Sequence, residues 1–384
     1  MKPSRRATAP LYAAGFTTAF GAHSIAAGLG AETTNMGVSL LTFGLLLAVY
    51  DIAEVILKPI FGYVSDVVGV KPVIVIGLAV FAATSLLGAL GASPILLGIA
   101  RLGQGASAAA FSPASSSAVA RLAGSSAAGR YFGRYGSWKG IGYALGPLLG
   151  AALIFVGGFP ALFATLSIIA AATSVWALIA LPRIPVLSRP RYTFIDLISQ
   201  STDRSFLIPT LALAAASGAL GVAVGFIPLL GTALHLSLFA SMAAVTILAV
   251  SSAAIQPLIG RLRDGGHISS RAGMATGLAL ITVGIVLLAI VPLPATLYLA
   301  AVILGFGIGI TTPLGFAHLA TTTPPERMGR TMGNAELGRE VGDAGGPLMV
   351  GGIATAFGLM TGLGALALVV GGAAIVCGSG LQNR

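Results

Sequence analysis

Acidic side chains are scarce in this chain: 11 Asp and Glu stand against 21 Lys and Arg in 384 residues, and charged residues of both signs make up only 8%. So few charges cannot cover the surface of a water-soluble protein of this length, and the 56% hydrophobic content with mean hydropathy +0.96 requires an integral membrane protein. Cysteine occurs once, at Cys377 within the last apolar stretch, which excludes an intrachain disulfide, a cysteine-rich metal centre and a CxxC redox motif. The histidines, at 23, 235, 267 and 318, are dispersed. With no paired metal-ligating histidines, no glycine-rich phosphate loop after a strand and no nucleophile beside a base, the chain lacks the constellation an enzyme needs. The net charge of +10 does not signal nucleic acid, because the arginines sit in alternate loops rather than among aromatics on a soluble module.

Apolar windows of about 20 residues, the length that crosses a bilayer core of roughly 30 Å, are twelve in number. They fall near 9–30, 39–61, 72–91, 94–120, 136–156, 160–181, 206–231, 237–259, 272–292, 294–319, 334–357 and 361–380. The first could pass for a signal peptide, but eleven spans behind it make it a first transmembrane helix. One set of loops holds Lys2, Arg5, Arg6, Lys71, Arg121, Arg130, Arg134, Arg183, Arg189, Arg191, Arg204, Arg261, Arg263, Arg271, Arg327, Arg330 and Arg384, and the opposite set holds no Lys or Arg. By the positive-inside rule both termini and the central connection face the cytoplasm of a bacterial cell membrane. The expected organisation is a six-helix bundle in 1–182, a cytoplasmic linker in 183–205 and a second six-helix bundle in 206–384.

The two bundles are copies. Pro59, Gly62 and Asp66 recur 198 positions later as Pro257, Gly260 and Asp264, and Pro113 recurs 200 later as Pro313. GRYFGRYGSWKGIGYALGPLLG at 129–150 aligns with GRTMGNAELGREVGDAGGPLMV at 329–350, so that Gly142, Gly146 and Pro147 answer to Gly342, Gly346 and Pro347. A duplicated membrane bundle is the architecture of a transporter that rocks one half against the other.

Three local motifs resemble the major facilitator superfamily, and the similarity covers essentially the whole chain. GYVSDVVGVK (62–71) resembles its loop between helices 2 and 3, with Gly62, Asp66, Gly69 and Lys71 in place and valines at two usually basic positions, 67 and 70. RLGQGASAA (101–109) resembles its helix 4 motif, and GIGYALGPLLG (140–150) resembles the helix 5 motif of its proton-coupled exporters. The resemblance implies an all-α membrane fold of twelve helices in two pseudo-symmetric bundles, of the drug:proton antiporter type. It also implies a cytoplasmic gate in which Asp66 meets a nearby arginine, for which Arg121 is the candidate, and the positive N-terminal end of a helix from the other half; Asp264 is its repeat counterpart. The helix 5 spacing has its own physical reading. Gly142, Gly146 and Gly150 leave one helix face bare for a close neighbour, and Pro147 withholds a backbone donor, so this helix packs tightly or hinges.

Ionisable groups buried in a bilayer are costly and mark candidate function. Asp51, Glu54 and Lys58 in the second span lie at i, i+3 and i+7, along one face. Glu54 and Lys58 are spaced as an ion pair, which leaves Asp51 as the acid outside that pair. Counting depth along the helices brings Asp51, Arg101 and His23 within reach of one cavity. The expected proton carrier is Asp51, or Glu54 as the lesser candidate, with Arg101 biasing release. In the second copy Asp51, Glu54, Lys58 and Arg101 become Ala249, Ser252, Gln256 and Ala301. The remaining faces, with Phe226 and Phe306, suit an apolar substrate wall, and Asp343 could meet a cationic substrate. Glu336 and Glu340 are expected at the cytoplasmic interface, as gate or solvated residues.

The expected activity is proton-coupled efflux of a small hydrophobic or amphipathic organic compound by alternating access, with the proton gradient as energy source, no cofactor, no metal, no nucleic acid and a monomeric protein in the lipid bilayer. The alternatives are a cation or metal exporter using His23, Asp51 and Glu54, and a proton-coupled uptake symporter of a small metabolite.

Overall fold

A computed structural model of the chain describes residues 5–32, 40–91, 93–186, 203–291 and 293–380. Most of the expected central linker therefore lies outside the described residues, as do Lys2, Arg189, Arg191 and Arg384. Secondary structure among the described residues is helical throughout, as lipid demands of chains that must satisfy every backbone polar group internally. The first helices are α1 (Arg5–Glu32), α2 (Leu40–Val68) and α3 (Val70–Ala89).

A helical run of 87 residues follows, Pro94–Ala180, which if straight would measure about 130 Å. It is not straight. Gly124 and Gly158 adopt φ of +61° and +66°, a conformation glycine alone enters cheaply, and they divide the run into α4 (94–123), α5 (125–157) and α6 (159–180). The fold-back is recorded in hydrogen bonds to α3: Ser167 donates to the Ala82 carbonyl and Ser174 to that of Val75, each at 2.8 Å, the order expected for antiparallel helices. The second copy continues with α7 (Arg204–Ala233), α8 (Leu238–Asp264), α9 (Ser270–Ile290), α10 (Pro294–Thr322), α11 (Met328–Phe357) and α12 (Leu359–Gly380). Divided in this way, the described residues hold twelve long helices. Seven of the helical runs are long and apolar enough to cross a membrane by length and composition, the 87-residue run among them.

Serine caps start several helices. Ser93, Ser237 and Ser269 accept from the N–H groups of Leu96, Ala240 and Ala272 at 3.3, 3.2 and 3.1 Å. Helices α5 and α11 begin before the spans expected from hydropathy, because the GR turns at 129 and 329 are themselves helical and extend past the apolar windows.

Two compact units form. One comprises Met1–Leu122, Trp138–Ser188 and Thr323–Leu337; the other comprises Ala123–Ser137, Arg189–Thr322 and Gly338–Arg384. Each unit thus includes the opening turns of a helix whose remainder belongs to the other. Within the units the sequence repeat becomes a repeat of contacts. In the first, Gly77 of α3 lies against the Ser107 carbonyl and Phe111 of α4; in the second, Gly277 of α9 lies against the Gly307 carbonyl and Thr311 of α10. Gly105 approaches the Tyr50 carbonyl of α2 as Gly305 approaches the Leu248 carbonyl of α8. A second set of glycines, 142, 146 and 150, brings α5 against α1: a Cβ at these positions would meet Ala19 at 2.9 Å, His23 at 3.0 Å and Ser24 at 2.7 Å. Gly342 and Gly346 place α11 on Ala214 and Gly218 of α7 in the same manner. Small residues let backbones touch where lipid offers no hydrophobic drive for helices to associate.

Candidate functional site

The α2–α3 turn is shaped by Gly69, whose φ of +100° suits no other residue well. Behind it Asp66 is buried and accepts two backbone hydrogen bonds, from Gly329 at 2.7 Å and Arg330 at 2.9 Å. These are orphan N–H groups in the first turn of α11, where the helix dipole favours a carboxylate. The approach is possible because Gly62 lies against Gly329, whose carbonyl would stand 2.7 Å from a Cβ at 62. In the other unit Asp264 repeats the arrangement, accepting from Gly129 and Arg130 at 2.8 Å each, and Gly260 sits against the Gly129 carbonyl. Arg130 also reaches Asp264 through its side chain at 3.1 Å. Arg121 lies in the field of Asp66 and Glu326, and its guanidinium donates to the Pro185 carbonyl. Lys71 donates to the Leu181 carbonyl at the end of α6, at 2.6 Å, and its repeat counterpart Arg271 donates to Gly378 near the end of α12. Each cation thereby satisfies a C-terminal carbonyl.

Deeper in the first unit, Glu54 and Lys58 are 3% and 1% exposed and pair at 3.2 Å. Asp51 does not share their burial: the face expected to carry all three splits, with Asp51 exposed beside Ile52. Arg101, 2% exposed, lies 4.2 Å over the Tyr50 ring, donates to the Leu46 carbonyl at 3.4 Å and feels the charges of Asp51 and Glu54. Spacing alone did not reveal the Tyr50 stack. It is the natural companion of a guanidinium withdrawn from water. His23 is held at the α1–α5 contact, its ring 4.5 Å from that of Tyr143 and its Nδ1 3.2 Å from the Ala19 carbonyl. Among the described residues no three of His, Cys, Asp and Glu cluster as a metal site.

Of the two roles expected of Glu336, gate or solvated, its burial removes the second. Glu336 is not solvated: it is 0% exposed, accepts from the Ser116 hydroxyl of α4 at 3.0 Å and pairs with Lys139 of α5 at 3.5 Å. Lys139 falls inside the fifth apolar window, and a lysine there needs a buried partner, which is the signal that could have found the pair. Glu340 is half-buried, and Asp343, also half-buried, lies against Gly221 of α7. Phe226 lines a wholly apolar crevice of about 10 Å³ with Ile227, Leu304 and Leu363, a space too small for a substrate in this arrangement. Phe306 is 38% exposed, since its neighbours Gly305 and Gly307 turn towards α8 and α9.

Comparison with known proteins accords with this architecture. The family model described as Major Facilitator Superfamily matches residues 11–264 and 209–381. The Multidrug resistance protein B homolog of Mycobacterium tuberculosis is 38% identical over 77 residues, 20% of this chain and 14% of the relative. The class H tetracycline resistance protein of Pasteurella multocida is 34% identical over 126 residues, 33% of this chain and 31% of the relative. The matches thus span less than a third of the length of either relative. Among solved structures, the human organic anion transporter MFSD10 superposes with a TM-score of 0.81 over 98% of this chain and all of that one at 18% identity, a likeness of fold. With a family match spanning nearly all of its length, the chain belongs to the major facilitator superfamily, a family of multi-pass membrane transporters.

Proposed function

We propose that this protein is a proton-coupled exporter, exchanging protons for a small hydrophobic or amphipathic organic compound by alternating access across a bacterial cytoplasmic membrane, with its termini on the cytoplasmic side. The observation that carries the reading is the asymmetry of charge between two otherwise matching copies. Asp51, Glu54, Lys58 and Arg101 gather in the first, whereas Ala249, Ser252, Gln256 and Ala301 stand at their counterparts. A transporter that only rocked would have no use for costly charges on one side.

Asp51 is the proton carrier of this reading. It is the acid left accessible while Glu54 is committed to Lys58, and it lies within the field of Arg101. Arg101, held over Tyr50 and against the Leu46 carbonyl, is the residue that biases release in this reading. The proposed substrate class rests on the apolar character of the second copy, with Phe306 exposed. The names of the multidrug and tetracycline resistance relatives point the same way. The domains of the reading are the two bundles, 1–182 and 206–384, joined by 183–205, with the Asp66 and Asp264 caps as gates.

The test is transport of tetracycline and of a lipophilic cationic dye into proteoliposomes under an imposed pH gradient, comparing the wild type with Asp51→Asn and Glu54→Gln. Gradient-driven accumulation lost in Asp51→Asn supports the assignment. Accumulation unchanged in Asp51→Asn but lost in Glu54→Gln would transfer the role to Glu54.

A further inference from the structure

The second unit holds a polar cavity that its aspartate cap does not require. It measures about 1500 Å³, room for a nucleotide-sized solute, and is walled by the opening turn of α7, the α8–α9 turn, the ends of α10 and α12, and Ser125 and Ser126 ahead of the capped turn of α5. Ile268 is the one hydrocarbon side chain among the described residues of that wall. Three guanidinium groups line it, from Arg204, Arg263 and Arg271, and the starts of α7 and α9 add the positive ends of two helix dipoles. Its two acids are engaged elsewhere. Asp264 holds the Gly129 and Arg130 amides at 2.8 Å and the Arg130 side chain at 3.1 Å, and Asp203 accepts from the Ser205 N–H at 2.9 Å. Arg263 is loosely held by comparison: its side chain is only 14% exposed, yet its bonds to Ser270, Thr321, the Ser125 carbonyl and Asp264 all measure 3.2 to 3.5 Å, at or beyond the long end of the usual range. His318 lines the same cavity in the field of Arg263, and its Nε2 is buried with no hydrogen-bond partner. An anion with several oxygens would satisfy these donors together, since a guanidinium flanked by hydroxyls matches phosphate in charge and geometry.

The first copy shows how much of this the cap needs. Ser65, Ala118, Leu122 and Ile179 stand at the counterparts of Arg263, His318, Thr322 and Ser379. Arg121 stands at the counterpart of Thr321, but that cation lies in the field of an acid, Glu326, at the counterpart of Ser126. Both copies keep the aspartate cap. The second therefore has a serine hydroxyl where the first has a carboxylate, while it still gathers guanidinium groups, and the missing negative charge is left for a ligand to bring. We propose that this cavity binds a water-soluble, phosphate-bearing anion, with Arg263 as its central contact and Ser270, Thr321 and His318 around it. A wall with one hydrocarbon side chain offers an acyl chain nothing to lie on, which favours a solute over a lipid headgroup. Ser125 and Ser126 precede α5 and Arg263 ends α8, so the anion is held from both sides of the Asp264 cap, and its occupancy favours the capped arrangement. The site lies on the cation-bearing face, the cytoplasmic one in the reading above, and is separate from the charges assigned there to proton coupling.

The experiment titrates the full chain, in nanodiscs of neutral phosphatidylcholine, with inorganic pyrophosphate by calorimetry, against sodium chloride at matched ionic strength. Saturable binding of pyrophosphate is expected, and Arg263→Gln should weaken it by about tenfold or more. Ser126→Glu, which gives the second copy the acid of the first at an exposed position, should weaken it as much. Arg183→Gln, an exposed cation outside the cavity, should leave the affinity unchanged. Bound pyrophosphate should also slow amide exchange at Gly129 and Arg130. Absence of saturable binding, equal weakening by Arg183→Gln and Arg263→Gln, or binding that leaves the two amides unaffected would each overturn the proposal. Should Arg263→Gln fail to fold, Ser126→Glu decides, and full affinity in that variant overturns it. A repeat in nanodiscs containing phosphatidylglycerol separates the sources: pyrophosphate inert in neutral discs, with phosphatidylglycerol retained by the wild type and lost from Arg263→Gln, would give the site to a lipid headgroup and contradict a soluble ligand. The titration needs neither transport substrate nor gradient, so a failure of the exporter reading would leave its result intact, and its own failure would leave that reading standing.

Discussion

Asp66 and Asp264 perform one task twice, each accepting from two consecutive backbone N–H groups in the opening turns of a helix, and each can be tested by removing the charge while keeping the shape. Asp66→Asn should weaken the α11 cap by about 1.5 to 3 kcal/mol, accelerating amide exchange at Gly329 and Arg330 while leaving Gly129 and Arg130 unchanged. Asp264→Asn should do the reverse, and exchange that rises at neither or both pairs would contradict the assignment. Gly69, at φ +100°, offers a second test. Gly69→Ala should cost about 1 to 2 kcal/mol from the left-handed conformation and lower the thermal midpoint in detergent, whereas an unaltered midpoint would show that the turn relaxes freely. At this scale the sequence was readable where chemistry is local. The aspartates, the turn glycine and the spacing of Glu54 with Lys58 follow from motif and helical period. The partners of Glu336 did not, because Ser116 and Lys139 lie 220 and 197 positions away and no helical period relates them. The exposure of Asp51 was missed for a related reason: i, i+3, i+7 spacing defines a stripe about a third of a helix wide, and its edge can face a different environment from its centre.

At the scale of elements, the glycine stripes decide which helices touch. Gly142, Gly146 and Gly150 bring α5 onto α1, and Gly342 and Gly346 bring α11 onto α7. A valine at Gly146 would drive its side chain into His23 and the backbone of Ser24, so Gly146→Val should lower the thermal midpoint clearly and reduce transport severalfold. Gly352→Val on α11, where a Cβ meets nothing within 4 Å, should leave both near wild type. Equal losses would mean that bulk anywhere on these helices is harmful and that the stripe has no particular partner. The all-helical membrane architecture was legible from apolar windows, because lipid forces long continuous helices. The early starts of α5 and α11 were not, since their first turns are polar and held by aspartate caps, a contact that no hydropathy window registers.

For the whole molecule, duplication explains both what is shared and what is not. Caps, turn glycines and packing stripes recur because both copies must form the same bundle. The charges at 51, 54, 58 and 101 and the pair at 139 and 336 break the symmetry, and under the proposal of proton-coupled export those at 51, 54 and 101 are the groups assigned to the coupling. Export is tested most directly in proteoliposomes by reversing the gradient. With an acidic lumen and an alkaline exterior, tetracycline or the lipophilic dye should accumulate inside as protons leave, and a luminal pH dye should report alkalinisation that starts with substrate addition. With the gradient reversed there should be no accumulation. Accumulation driven by an acidic exterior, with substrate and protons entering together, or accumulation of neither compound under either gradient, would contradict proton-coupled export.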